Sequence, residues 1–307
     1  MRRAGQALFA EPVFIVGEAR SGTSLLYRSL QNHSAFKPRV GIKLGESHAV
    51  ELLASIDPPA GPDNPLVRFM TDERSYAEFV DDISQFRRRR EFVRRRFPDT
   101  RQNRAMWFAE SLAAGDHLVI RRYFMMAADA RGAERLVEKT PQHLRSVPLL
   151  RAAFPRARFL YIVRHPVDTL SSYLRRFQVD PGKSPWANID PQVFCERWKT
   201  NASAALQMAR HRSFRLLVLR YEDFTQQTEP TVRRVLTHVG EAFEEDCLLT
   251  RHEEGMKSWR IDPNLFEPVV DETKDWRDFL STECAQQVER ELASGMASLR
   301  YPSYTEA

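Results

Sequence analysis

Residues able to gather around an anion recur at four places in the chain. Between Gly17 and Ser24 the sequence reads GEARSGTS, with a guanidinium at Arg20, hydroxyls at Ser21, Thr23 and Ser24, and a second glycine at Gly22. A glycine-bearing turn entering a helix leaves the first backbone N–H groups pointing outward, and the helix dipole adds positive potential there. Lys139-Thr140 offers an ammonium beside a hydroxyl. Arg164 and Ser172 can converge on a single anion if the arginine leaves a strand and the serine lies two turns into the following helix, because guanidinium suits bidentate phosphate recognition. Arg220-Tyr221-Glu222-Asp223 closes another apolar run. Glu46 and His48, in KPRVGIKLGESHAVE, offer a carboxylate and an imidazole as alternative general bases; a solvated loop accounts for them equally well.

The elements that must carry these residues follow from hydrophobic patterning. Val13 to Val16 is a short apolar strand, and Leu25, Leu26 and Leu30 mark the helix after the turn. A strand ending at Val137 is followed by a helix from Pro141 through Leu149 to Phe154. Arg158 to Arg164, RFLYIVR, is a buried strand, with a helix after Pro166 carrying Val167, Leu170, Ser171, Ser172 and Leu174. Phe194, Trp198, Ala205, Leu206 and Ala209 form a core stripe on the next helix. Phe214 to Tyr221 is a further strand, and Val232, Val235, Leu236 and Val239 lie on a helix stopped by Gly240. Lys139 and Arg164 therefore sit at the C-terminal ends of strands, the edge where open α/β sheets bind ligands.

Elsewhere the pattern predicts packing and cover. Tyr76 to Phe97 recurs at helical spacing, with Arg87–Arg90 and Arg94–Arg96 on its other faces, as a solvated face or a basic lid over an anionic acceptor. Leu118 to Met126 is a buried helix, Pro181 to Pro191 a loop, and Asp262 to Trp276 a long loop of the kind that covers sites. A final helix ends near Leu299.

Composition narrows the class. The chain has 307 residues, 42% hydrophobic and 28% charged, which suits one large α/β domain spanning 1–307. Its formal charge of +5 favours anionic ligands without implying nucleic acid. Cys195, Cys247 and Cys284 are widely spaced and read as reduced thiols. Glu11 and Pro12 interrupt the apolar run that a signal peptide after Met1-Arg2-Arg3 would need, and no run is long enough to span a membrane, so the expectation is a cytoplasmic protein. Nothing in the sequence speaks to oligomeric state.

Gly17 and Gly22 fit the P-loop spacing GxxxxGK[ST], but Thr23 stands where the triphosphate-binding lysine would be. The loop still suits a 5′-phosphate carrying one further anionic group. Taken in order, Arg20-Ser21-Gly22-Thr23-Ser24, the Arg164-to-Ser172 element and the Arg220-Tyr221-Glu222 strand end resemble the sulfotransferase family that uses 3′-phosphoadenosine 5′-phosphosulfate (PAPS). The resemblance is strongest over 13–30, 134–177 and 214–240.

That resemblance implies a P-loop-like three-layer α/β fold, a central parallel sheet flanked by helices, with a helical acceptor-side insertion at about 50–130. It implies a 5′-phosphosulfate loop at Arg20 through Ser24, a 3′-phosphate site at Arg164 and Ser172, and Tyr221 near the nucleotide. Lys139, in EKTP, looks like the lysine set against the transferred sulfuryl group, and Lys274 and Trp276 resemble the loop that closes over the nucleotide. The ERLVEKTP run is closest to the carbohydrate, tyrosylprotein and bacterial branches, which favours Glu46 over His48 as base. The implied reaction moves the sulfuryl group to a hydroxyl of a small-molecule or carbohydrate acceptor, without a metal, and releases 3′-phosphoadenosine 5′-phosphate. Two other classes compete: a P-loop nucleotide kinase or NTPase, and a non-catalytic protein binding polyanions through the Arg87–Arg96 run.

Overall fold

A computed structural model describes residues 11–37, 134–179, 189–248 and 275–306, together with His117, Ile120, Arg121, Phe124, Met125 and Ala128. The elements run β1 (Val13–Gly17), α1 (Thr23–Gln31), β2 (Val137–Lys139), α2 (Val147–Ala153), β3 (Arg158–Val163), α3 (Pro166–Val179), α4 (Pro191–Arg210), β4 (Leu216–Arg220), α5 (Tyr221–Gln226), α6 (Thr228–Val239) and α7 (Thr282–Ser298). The strands form one parallel sheet, ordered β2-β1-β3-β4 and flanked by helices, in a P-loop-like α/β fold. β1 and nearly all of β3 are buried, as continuous apolar runs must be when helices cover a parallel sheet. β4, at the end of the order, is less covered: Leu216 and Leu219 are buried, and Leu217, Val218 and Arg220 are half-buried. It pairs with β3 in the register Phe159↔Leu216 through Val163↔Arg220.

The chain divides into two compact units, 1–14 with 34–158 and 15–33 with 159–307. In the first, Phe14 meets Phe124 edge-on at 5.3 Å between centroids and Phe154 at 6.1 Å. Ile120, Phe124 and Ala128 are buried on one helical face, in accord with the helix expected at Leu118 to Met126. In the second, Asp190 caps α4 by accepting from the Gln192 and Val193 N–H groups. Gly240, at φ 85°, ends α6 where the spacing predicts a stop; the Glu241 N–H donates to the Leu236 carbonyl at 2.9 Å.

Three local expectations change. β2 begins at Val137 rather than ending there, and the helix expected from Pro141 starts as a 3₁₀ turn, Pro141–Ser146, before α2. The buried stripe of α4 is Phe194, Cys195, Trp198, Asn201, Ala202 and Ala205, leaving Leu206 half-buried and Ala209 exposed. β4 starts at Leu216 because Arg212–Phe214 forms a 3₁₀ turn and Arg215 takes a left-handed conformation, φ 47°. The long helix expected at Tyr76–Phe97 and most of the Asp262–Trp276 segment lie outside the described residues.

Candidate functional site

The second unit carries the cradle. β1 delivers Gly17 against β3 so closely that a Cβ there would sit 2.5 Å from the Ile162 carbonyl oxygen. The loop then turns: the Ser21 N–H donates to the Glu18 carbonyl at 3.3 Å, Arg20 takes φ 68°, and Gly22 takes φ 90°. Only glycine adopts that last conformation freely, and a side chain there would also overlap the Tyr221 ring. The first bond of α1 runs from the Leu26 N–H to the Gly22 carbonyl. The N–H groups of Thr23, Ser24 and Leu25 thus have no intrahelical partner and face the helix entrance. Ser21 is fully buried, and its hydroxyl has no hydrogen-bond partner. Burying an unpaired hydroxyl costs about 1–3 kcal/mol. A polar ligand at the cradle would offset that cost, so the loop has the donor set of a phosphate site.

Four sequence-predicted residues meet in pairs. Arg20 Nε donates to Ser172 Oγ at 3.2 Å, tying the loop to α3. The Arg164 guanidinium lies over the Tyr221 ring, 4.6 Å from its centroid. Register explains the second pair: Val163 faces Arg220 across β3 and β4, so Arg164 and Tyr221 leave the sheet side by side. Arg164 Nε is buried without a hydrogen-bond partner. Trp276 is buried on a 3₁₀ turn, Trp276–Asp278, that packs on α3, with the Arg277 guanidinium over its ring. Glu46, His48 and Lys274 lie outside the described residues, as does the Arg87–Arg96 run.

In the first unit, Lys139 is the last residue of β2 and 4% exposed. Its neighbours form a sealed polar cluster. Thr140 Oγ1 donates to Glu138 Oε1 at 2.5 Å, and His143 Nδ1 lies 3.1 Å from Glu138 Oε2, all three residues being fully buried.

Patterning alone does not single out Glu18. Its carboxylate, buried in the cradle loop, accepts from the Tyr173 hydroxyl at 2.7 Å and from Asn201 Nδ2 at 2.8 Å. Arg197 Nη2 lies 2.8 Å away but out of hydrogen-bond alignment, so that contact is a charge pair. Burial, with Glu18 alongside, keeps the Tyr173 hydroxyl protonated far above the ordinary tyrosine range. A carboxylate inside a loop of glycines, hydroxyls and an arginine was the available signal, because it must be neutralised for such a loop to take an anion.

A family model described as the sulfotransferase family matches residues 12–245, most of the chain and every strand of the sheet. The chain belongs to the sulfotransferase family. Membership sets aside the kinase and polyanion-binding alternatives in favour of an enzyme of sulfuryl transfer.

Sulfotransferases also appear among similar solved structures. A sulfotransferase domain from the Synechococcus PCC 7002 olefin synthase aligns with TM-score 0.57 at 17% identity, covering 95% of this chain and 96% of that one. A sulfotransferase domain from the curacin biosynthetic pathway gives 0.57 at 17%, covering 95% and 98%. Sulfotransferase STF9 from Mycobacterium avium gives 0.51 at 14%, covering 98% and 80%. At such identity the likeness concerns the fold. No curated protein sequence matches the chain.

Among the described residues, no group of three His, Cys, Asp or Glu side chains is disposed to hold a metal ion. No helix among them is long and apolar enough to cross a membrane. Burial pushes the Cys195 and Cys247 thiols up to about 12, so neither is a thiolate nucleophile at neutral pH.

Proposed function

We propose that this sulfotransferase takes PAPS as donor and a hydroxyl of a small-molecule or carbohydrate acceptor. The observation that carries the donor assignment is the cradle, with the orphaned Ser21 hydroxyl, free N–H groups at the start of α1 and Arg20 beside Ser172, level with a second cationic group at Arg164. A nucleotide with phosphates at both ends of its ribose needs two such anion sites. In this reading Arg20 through Ser24 hold the 5′-phosphosulfate, Arg164 and Ser172 the 3′-phosphate, and Tyr221 the nucleoside. Lys274 and Trp276 close over it. In this reading residues 1–307 work in the cytoplasm as one catalytic domain, with 50–130 on the acceptor side.

The donor supplies a sulfuryl group whose leaving group is a phosphate. As the acceptor oxygen–sulfur bond forms and the sulfur–oxygen bond to that phosphate breaks, Glu46 takes the hydroxyl proton, with His48 the alternative base. Arg20 and Lys139 neutralise charge on the sulfuryl oxygens and the departing phosphate. Positioning and fixed cations supply most of the acceleration, as in phosphoryl transfer.

Radiolabelled sulfuryl transfer from PAPS to a panel of sugars and alcohols, with chelator present, tests the reading. Glu46→Ala should lower kcat by about 10²- to 10⁴-fold, the range typical of general-base loss. Lys139→Ala should lower kcat more than it raises the KM for donor. Transfer undiminished in both variants would overturn the assigned chemistry.

A further inference from the structure

Arg164, which the proposed function assigns to the 3′-phosphate, and Tyr221, which it assigns to the nucleoside, are single residues at the exits of β3 and β4. Their neighbours on both sides are gripped by one tyrosine from the far end of the chain. The Tyr301 hydroxyl lies 3.0 Å from the Val163 carbonyl oxygen and 3.0 Å from Glu222 Oε2, so its single proton is shared between two acceptors. Glu222 Oε1 in turn accepts from the His165 N–H at 2.8 Å. The Arg220 guanidinium lies over the Tyr301 ring, 4.5 Å from its centroid. Thus Val163 and His165, flanking Arg164, and Arg220 and Glu222, flanking Tyr221, all bear on Tyr301 directly or through one carboxylate.

The segment presenting Tyr301 is itself fixed. Its N–H donates to the Met296 carbonyl at the end of α7. Glu289 on α7 accepts from Ser303 Oγ at 2.7 Å, from the Tyr304 N–H at 2.7 Å, and from the Thr305 N–H and hydroxyl. The Tyr304 ring stacks on His165 at 3.7 Å, and its hydroxyl donates to Asp168 in the first turn of α3. His165 Nε2–H donates to the Pro302 carbonyl at 3.0 Å. α7 and the 301–305 segment lie beyond residue 245, where the family match ends, while their partners His165 and Asp168 lie within it.

We infer that Tyr301, held by the 301–305 segment, is a positioning residue for the Arg164–Tyr221 pair and so sets the discrimination for a 3′-phosphate. Tyr301 does not touch the nucleotide in this account. It fixes the backbone from which the guanidinium is presented, and a fixed guanidinium loses less freedom on pairing with phosphate. The inference rests on the proposed donor assignment.

The test compares adenosine 3′,5′-bisphosphate with adenosine 5′-monophosphate by calorimetry on the full chain and on Tyr301→Phe, which keeps the ring under Arg220 and removes only the hydroxyl. Loss of a shared hydrogen bond should weaken the bisphosphate by about 5- to 15-fold. The monophosphate still meets Tyr221 through its nucleoside but lacks the phosphate that Arg164 would hold, so it should weaken less, by under about threefold. Glu222→Gln, which keeps the shape and removes the charge, should reduce the same ratio. Unfolding midpoints separate this from general loosening, which would weaken both ligands in proportion. A proportional loss, or an unchanged ratio in a wild type that does discriminate, overturns the inference alone. A wild type that binds both ligands alike overturns the donor assignment and the inference with it.

Discussion

Glu18 puts a buried negative charge inside a loop suited to anions, and Arg197 is the cation that neutralises it. Breaking a buried charge pair from one side costs about 3–5 kcal/mol, because the remaining charge is left without compensation. Arg197→Met should therefore lower stability by about that much in urea unfolding and weaken nucleotide binding by at least about tenfold, through repulsion as well as loosening. Adding Glu18→Gln to Arg197→Met should recover most of the binding, since the amide still fills the site without the charge. If the double variant binds no better than Arg197→Met, the loss came from packing. Gly22 gives a second residue-scale prediction. Gly22→Ala combines a left-handed backbone with an overlap on the Tyr221 ring, so nucleotide binding should be lost and stability should fall by about 1–3 kcal/mol. A variant that binds normally would show that the Tyr221 ring can yield.

At the scale of elements, the strands were the most legible, because VFIVG and RFLYIV are apolar runs that only a covered sheet can bury. Their exits were legible too: Arg20, Arg164 and Tyr221 each follow a strand and sit at the helix-entry edge. What patterning missed depends on non-local pairing. Nothing local to Glu18 says that Tyr173, Asn201 and Arg197 will surround it, and nothing local to Tyr301 says that it will brace β3 and β4. The start of β4 was misplaced because Arg215 takes a left-handed conformation that an arginine rarely adopts.

The junction between β3 and α3 also carries a pH response. Burial drives the His165 imidazole down to about 4, against the pull of the Pro302 carbonyl and Glu289, while Arg164 and Arg220 push it lower. The unfolded chain takes up this proton first, near the ordinary value of 6.5. Stability should fall as pH drops from about 6.5 toward 4, by as much as roughly 3 kcal/mol from this group. Burial of Glu289 acts against its ionisation, yet hydrogen bonds from Thr305, Tyr304 and Ser303 hold its carboxyl below the ordinary value, so its contribution is lost only at the acid end. Glu222, raised by burial, works in the opposite sense and favours the fold at low pH. Urea unfolding of wild type and His165→Asn at pH 7, 5.5 and 4.5 checks the sign. The wild type should lose more over that range, and parallel curves would remove His165 from the account.

At the scale of the molecule, a modest net charge of +5 and a fold shared with other sulfotransferases at 14–17% identity leave specificity to the loops and the exits of the strands. The central claim is that the cradle and Arg164 together hold a nucleotide phosphorylated at both ends of its ribose. Calorimetric titration of 3′-phosphoadenosine 5′-phosphate into wild type and into Arg164→Ala, without magnesium, tests it most directly. Binding at micromolar concentration or tighter, weakened by about 10- to 100-fold in the variant, is the predicted result, given the strength of charge-assisted phosphate contacts. No binding by wild type, or binding of ATP alone and only with magnesium, would contradict it.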